Sequence, residues 1–287
     1  MKKICLFLMI GALTIPGIVS AQSTIKSDSV IDKTSELYLR LAQISLGNKD
    51  YKLVVAYADS ALARDNSFQE DYRLNKFFQE AYRLKGLGQF NLGLYAEAIV
   101  SMSAGMKRGG LDGYYVFDLN YYRGLAYHKS DSVLYAKEIA EDMQWAVAVK
   151  PTDTMAYYYK GLANYNLSFS PNYKKDDKLK ECVNDLGQFI KLKPNFTAYY
   201  IKGLANFLLG GSEENTEETR AIYYIEAIKD LTECLNLQPE NEDCLYYRGL
   251  SYYIMGDFID AIKDAQALKS RKNTNGAKPW QRLVGKK

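Results

Sequence analysis

Between Leu245 and Leu268, apolar and small residues recur every three to four positions in two successive blocks. The first is Leu245-Tyr246-Tyr247-Arg248-Gly249-Leu250-Ser251-Tyr252-Tyr253-Ile254-Met255. The second runs from Phe258 to Leu268, and Gly256-Asp257 separates the two. This period belongs to a helix with one apolar face, so the stretch predicts two helices joined by a tight turn. Gly249, Ala261 and Ala265 interrupt the larger residues at helical spacing and let the two helices cross closely on small surfaces. Neither block is long enough to be stable alone in water. The pair therefore needs neighbours of its own kind.

The chain supplies them. The tyrosine-rich start recurs as Tyr121-Tyr122-Arg123-Gly124-Leu125-Ala126, Tyr158-Tyr159-Lys160-Gly161-Leu162-Ala163, Tyr199-Tyr200-Ile201-Lys202-Gly203-Leu204-Ala205 and Tyr246-Tyr247-Arg248-Gly249-Leu250-Ser251. A proline closes three units, at Lys150-Pro151, Lys193-Pro194 and Gln238-Pro239. Leu92-Gly93-Leu94-Tyr95-Ala96-Glu97-Ala98 reads as a turn between two such helices. Together these residues resemble the tetratricopeptide repeat (TPR), whose first helix carries a bulky residue, Leu-Gly and Tyr, and whose second carries Ala, an aromatic and Ala before a closing Pro. The resemblance implies an all-α fold, a right-handed α-solenoid of about six TPR-like helix-turn-helix repeats.

The repeats fall at about 35–68, 79–112, 117–153, 154–195, 196–241 and 242–270. In the first, Leu37, Leu41 and Ile44 form the expected apolar face of one helix, with Ala42 at the glycine position. Tyr51, Val54, Val55, Ala58, Ala61 and Leu62 form that of the other. Asn66 replaces the closing Pro, as suits a terminal copy with one face toward water. Tyr72, Leu74, Phe77 and Phe78 predict an elongated first helix between residues 69 and 79. Gly109-Gly110 ends the second repeat. Two insertions, Ser168–Leu179 and Gly211–Arg220, are expected as loops at inter-helix turns, where they leave the stack intact. One carries Lys174, Lys175 and Lys178 beside Asp176 and Asp177; the other carries Glu213, Glu214, Glu217 and Glu218. They are either solvated loops or partner-facing elements of contrasting charge.

The N-terminus changes the setting. Met1-Lys2-Lys3, an apolar run from Ile4 to Val19 and small residues at Val19-Ser20-Ala21 predict a secretory signal peptide (1–21) cut before Gln22. A membrane anchor is the competing reading, but the run is short for a span and Pro16-Gly17 interrupts its end. Cys5 stands at the front of the run, not at the cleavage point, which argues against a lipid anchor. The chain is thus expected to be exported, to the periplasm of a diderm bacterium or beyond it. Residues 22–34 read as a mobile leader, and no transmembrane segment is expected in the mature chain. The 287 residues carry a formal charge of +3, and loss of Lys2 and Lys3 leaves +1. That balance argues against nucleic acid as a partner. The tail, 271–287, is basic and contains Pro279 and Trp280. It either packs on the last repeat through Trp280 or makes a weak contact with an anionic surface.

Three cysteines remain after export: Cys182, Cys234 and Cys244. An odd count gives no complete disulfide framework. Cys182 and Cys234 read as small core thiols, and a Cys234–Cys244 bridge across a turn between repeats is the alternative. No CxxC accompanies the single histidine, so neither a metal nor another cofactor is expected.

The TPR resemblance implies that first helices line a concave face. The positions three before, one after and four after each glycine share one side of a helix. They are Arg83; Tyr121, Leu125 and His128; Tyr158, Leu162 and Tyr165; Tyr200, Leu204 and Phe207; and Tyr246, Leu250 and Tyr253, with Leu87 and Phe90 in the second repeat. This stripe either packs first helices together or forms a tyrosine-rich groove for a protein or peptide partner, a use that suits the large, rigid, amphipathic tyrosine. The basic residue just before each glycine (Lys85, Arg123, Lys160, Lys202, Arg248) is expected to pair with acids on second helices, among them Asp185, Asp230 and Asp264. There is no HExxH, phosphate loop or dinucleotide fingerprint, and His128 falls in an aromatic stripe, a poor place for a catalytic base. The reading is a non-catalytic scaffold or assembly factor of the cell envelope. The alternative is an accessory ligand-binding protein for polysaccharide capture.

Overall fold

The computed structural model of the chain describes residues 31, 33–63, 72–108 and 113–270. The expected signal peptide, most of the leader, Asn66, Gly109-Gly110 and the basic tail with Trp280 lie outside these residues. The described chain forms twelve α-helices in six consecutive pairs: α1 (Lys33–Gly47) with α2 (Tyr51–Leu62), α3 (Tyr72–Asn91) with α4 (Tyr95–Lys107), α5 (Gly113–Asp131) with α6 (Ala136–Val149), α7 (Thr154–Leu167) with α8 (Lys175–Ile190), α9 (Phe196–Gly210) with α10 (Glu217–Leu237), and α11 (Glu242–Ile254) with α12 (Phe258–Ser270). There is no strand among them. Each helix packs on the next, and the first helices of successive pairs also touch. The result is an all-α solenoid.

Local chemistry sets the helix ends. Asp153, Asn195 and Asn241, each within two residues of a closing proline, accept the backbone N–H of Ala156, Ala198 and Cys244 and so cap α7, α9 and α11. Asp50 and Thr216 do the same for α2 and α10. Each satisfies one amide that the first turn leaves without a partner. Within a pair, the helices cross where the glycine stands. A Cβ on Gly161 would lie 2.7 Å from Leu186 Cγ, and one on Gly203 would lie 2.9 Å from Leu231 Cγ. Buried side chains such as Met143, Leu186, Phe189 and Leu231 fill the space beside these crossings.

Two expectations need correction. In α1 the buried residues are Ser35, Ala42 and Ser45, while Leu37 and Ile44 are exposed. Ala42 packs among Val54, Ala58 and Leu84 of α2 and α3, so the close approach of these helices falls on the small-residue side of α1. The insertions are also only partly loops. Lys175–Leu179 belongs to α8 and Glu217–Arg220 to α10, which at 21 residues is the longest helix described. Asp176, Asp177, Glu217 and Glu218 occupy the first turns, where negative charge favours helix formation. The two segments are joined: Asn215 Nδ2 donates to Asp176 Oδ2 at 3.2 Å and to the Leu209 carbonyl at 3.1 Å.

Candidate functional site

Four of the five basic residues before a glycine point across their own pair. Arg123 grips Asp142 through Nε (2.9 Å) and Nη2 (2.6 Å), and Arg248 grips Asp264 in the same way. Lys160 donates to Asp185 at 3.2 Å and Lys202 to Asp230 at 2.8 Å. Lys85 reaches back to Asp59 on α2. Burial holds Asp142, Asp185 and Asp230 above the usual carboxylate range, although each has a basic partner pulling the other way. This column is occupied within the fold, so its cations are not presented to a ligand.

The stripe divides into two groups. Arg83, Leu87, Leu125 and Leu204 are buried. Arg83 donates to Glu80 through Nε and Nη2 and to Asp118 through Nη1, which ties α3 to α5. These four positions serve packing; Leu87, for example, lies among Met102 and Leu119. Phe90, Tyr121, His128, Tyr158, Leu162, Tyr165, Tyr200, Phe207, Tyr246, Leu250 and Tyr253 are half-buried. Even in this group some rings also brace the interior: Tyr158 lies 4.7 Å from Phe189, and Tyr200 stacks on Phe196 at 5.8 Å between centroids.

The stripe read from the sequence omits the position two before each glycine, which proves to connect neighbouring repeats. Phe90 meets Tyr122 at 5.4 Å, His128 meets Tyr159 at 4.9 Å, and Phe207 meets Tyr247 at 5.2 Å. In each case a ring four after one glycine packs on a ring two before the next. The Tyr-Tyr doublets carried this signal, since the second tyrosine turns edge-on to the first in Tyr121–Tyr122, Tyr158–Tyr159 and Tyr246–Tyr247. Among the five repeats that carry the glycine, the ladder breaks once. Ile201 holds the place of a ring, and Tyr165 turns instead to Phe169 at 5.2 Å.

The electrostatics of the ladder keep it neutral. Burial pushes the Tyr165 hydroxyl up to about 12, helped by nearby Tyr247. Burial also raises Tyr121 and Tyr200, with Asp153 and Asp243 respectively adding to the effect. His128 is lowered by burial and by Lys129, which favours its uncharged form. Cys182 is buried with its thiol pushed up by desolvation, so it has little thiolate character. Cys234 and Cys244 are joined as a disulfide with Cα atoms 6.7 Å apart. No group of three or more metal-ligating side chains occurs among the described residues. No described helix is long and apolar enough to cross a membrane.

No protein-family model matches the sequence, and no curated protein does. Solved structures do. YrrB, described as a TPR protein with an unusual peptide-binding site, aligns over 76% of this chain and 98% of its own, with a TM-score of 0.51 at 19% identity. A structure of MamA AMB-1 aligns over 73% of this chain and 98% of its own, with a TM-score of 0.52 at 21% identity. The chain has the TPR fold. In TPR terms the ladder joins the first helix of one repeat to the first helix of the next, and the aspartate pairs of Arg123, Lys160, Lys202 and Arg248 lock the two helices within a repeat.

Proposed function

We propose that this TPR array is a non-catalytic scaffold that holds an extended or helical segment of another protein against the half-buried face of its first helices. One observation carries the reading: rings and leucines run from Tyr121 to Tyr253 along successive first helices, while the neighbouring cations are already engaged by buried aspartates. The face therefore offers area, rigidity and hydroxyl tips with few free charges, which suits a segment rich in apolar groups. The peptide-binding site named for YrrB is in keeping with this use of the fold. We place the protein in the periplasm, as an assembly factor of the envelope. The signal-peptide pattern of residues 1–21 supports that setting, as does a Cys234–Cys244 bridge suited to an oxidising compartment.

The test is capture from envelope extract, followed by mass spectrometry, with wild type and a Tyr253→Glu variant. The wild type is expected to retain a dominant protein partner. The variant is expected to lose it while keeping its helical circular dichroism and melting temperature. Equal capture by both proteins would overturn the groove. Retention on glycan beads with no protein partner would overturn the scaffold.

A further inference from the structure

Where Ile201 breaks the aromatic ladder, the structure holds a half-open cavity of 190 Å³. Its walls include His128, Leu162, Tyr165, Asn166 and Ile201, and it reaches Ile139, a buried core residue of α6. The ladder explains why space remains at this step. At the other steps a ring four after one glycine packs on a ring two before the next. Here the second ring is an isoleucine, and Tyr165 has swung toward Phe169.

The lining states what the cavity can hold. It contains no acidic residue, lysine or arginine. The Asn166 amide already donates to the Ser132 carbonyl at 2.9 Å. A charged group entering the cavity would lose its hydration with no counter-charge in return. The volume is sufficient for a ring, since an apolar protein cavity of about 150 Å³ binds benzene. We infer that this cavity is an anchor pocket for one uncharged side chain of phenylalanine or leucine size, carried by the segment bound on the first-helix face. The anchor role rests on the groove reading, whereas the pocket's preference for a neutral ring does not. Buried apolar anchors of this kind carry much of the affinity in helix-in-groove recognition.

Fluorobenzene is the probe, followed by its ¹⁹F resonance against full-length mature protein. Wild type is expected to bind it saturably at one site. Ile201→Phe, which supplies the missing ring, is expected to weaken binding at least tenfold while circular dichroism and melting temperature hold or rise. Should Ile201→Phe fold poorly, Leu162→Phe enlarges a lining residue on α7 instead. Ile139→Ala, which deepens the cavity, is expected to shift preference toward indole. Absence of saturable binding by wild type would overturn the pocket, as would equal binding by both filled variants. A filled variant that loses fluorobenzene but still captures the protein partner at full strength would overturn the anchor role and leave the groove standing. Failure of the wild type to capture any partner would count against the groove itself.

Discussion

At the scale of the residue, four ion pairs do one job with two chemistries. Arg123 and Arg248 each take both oxygens of their aspartate, and Nη1 reaches a hydroxyl on the preceding second helix, Ser103 at 3.1 Å and Thr232 at 3.2 Å. Lys160 and Lys202 have no such fork. At those repeats an asparagine one turn on, Asn164 or Asn206, donates to Oδ2 of the aspartate, and the preceding helix carries Gln144 or Gly187 where the hydroxyl would stand. Arginine and lysine are not interchangeable here, because each comes with its own supporting side chains. The sequence showed the basic column and its acids. It did not show the asparagine and hydroxyl substitutes, which become visible only when repeats are superposed on their hydrogen bonds. Lys202→Met should cost about 3–5 kcal/mol at pH 7, the usual penalty for leaving a buried charge without its partner. The pH dependence has a definite sign. Burial puts the Asp230 carboxyl above its ordinary value in the folded chain, so the native state holds that proton more tightly than the unfolded state. Stability from this group is greatest in acid and declines as pH rises through that window. Removing the ammonium raises the folded value further, so the variant should regain part of its loss at pH 5. Urea unfolding at pH 5 and pH 7 checks this, and an equal deficit at both would contradict it.

At the scale of the element, the turns inside repeats 1, 2 and 6 are built alike. Lys49, Gly93 and Gly256 have φ of 58°, 79° and 84°. Each donates its N–H to the carbonyl three residues back (Leu46, Phe90 and Tyr253). The next residue donates to the carbonyl five residues back (Ser45, Gln89 and Tyr252). Two of these turns use glycine, for which the left-handed region is unstrained, while Lys49 has a Cβ that crowds its own backbone. Lys49→Gly should therefore stabilise the first repeat by about 1 kcal/mol, a rise of about 2–4 °C in melting temperature for a chain of this size. A calorimetric scan that shows no rise would mean the lysine side chain contributes something the turn geometry does not reveal. Helix number and pairing were legible beforehand, because the 3.6 period, the glycines and the prolines all agree. The extra turns of α10 were not. Glu213, Glu214, Glu217 and Glu218 look like a solvated loop in composition, and only Thr216 at the cap divides loop from helix. Likewise Leu37 and Ile44 satisfy the period of an apolar face, but periodicity cannot say that α2 and α3 pack on the side of Ala42 instead.

At the scale of the whole array, contacts pass between consecutive helices and between neighbouring first helices, so stability should be largely a property of adjacent repeats. The candidate face has the same character. Its tyrosines could be read from the sequence, but the cavity could not, because it arises from a substitution in one repeat, Ile201, acting on a ring in another, Tyr165. The Cys234–Cys244 bridge offers a direct measure of how local the coupling is. It fastens the end of α10 to the first turn of α11, across the boundary between the last two repeats, and α12 leans on α11. Closing a loop of this length stabilises the ordered state by about 3 kcal/mol on chain-entropy grounds. Reduction should accordingly lower amide-exchange protection in α11 and α12 by about a hundredfold, the equivalent of most of that energy. Protection in α3 to α8 should be unchanged. If α3 to α8 lost protection to the same degree, the six pairs would be opening as one cooperative body, and neighbour contacts alone would no longer account for the stability of the array.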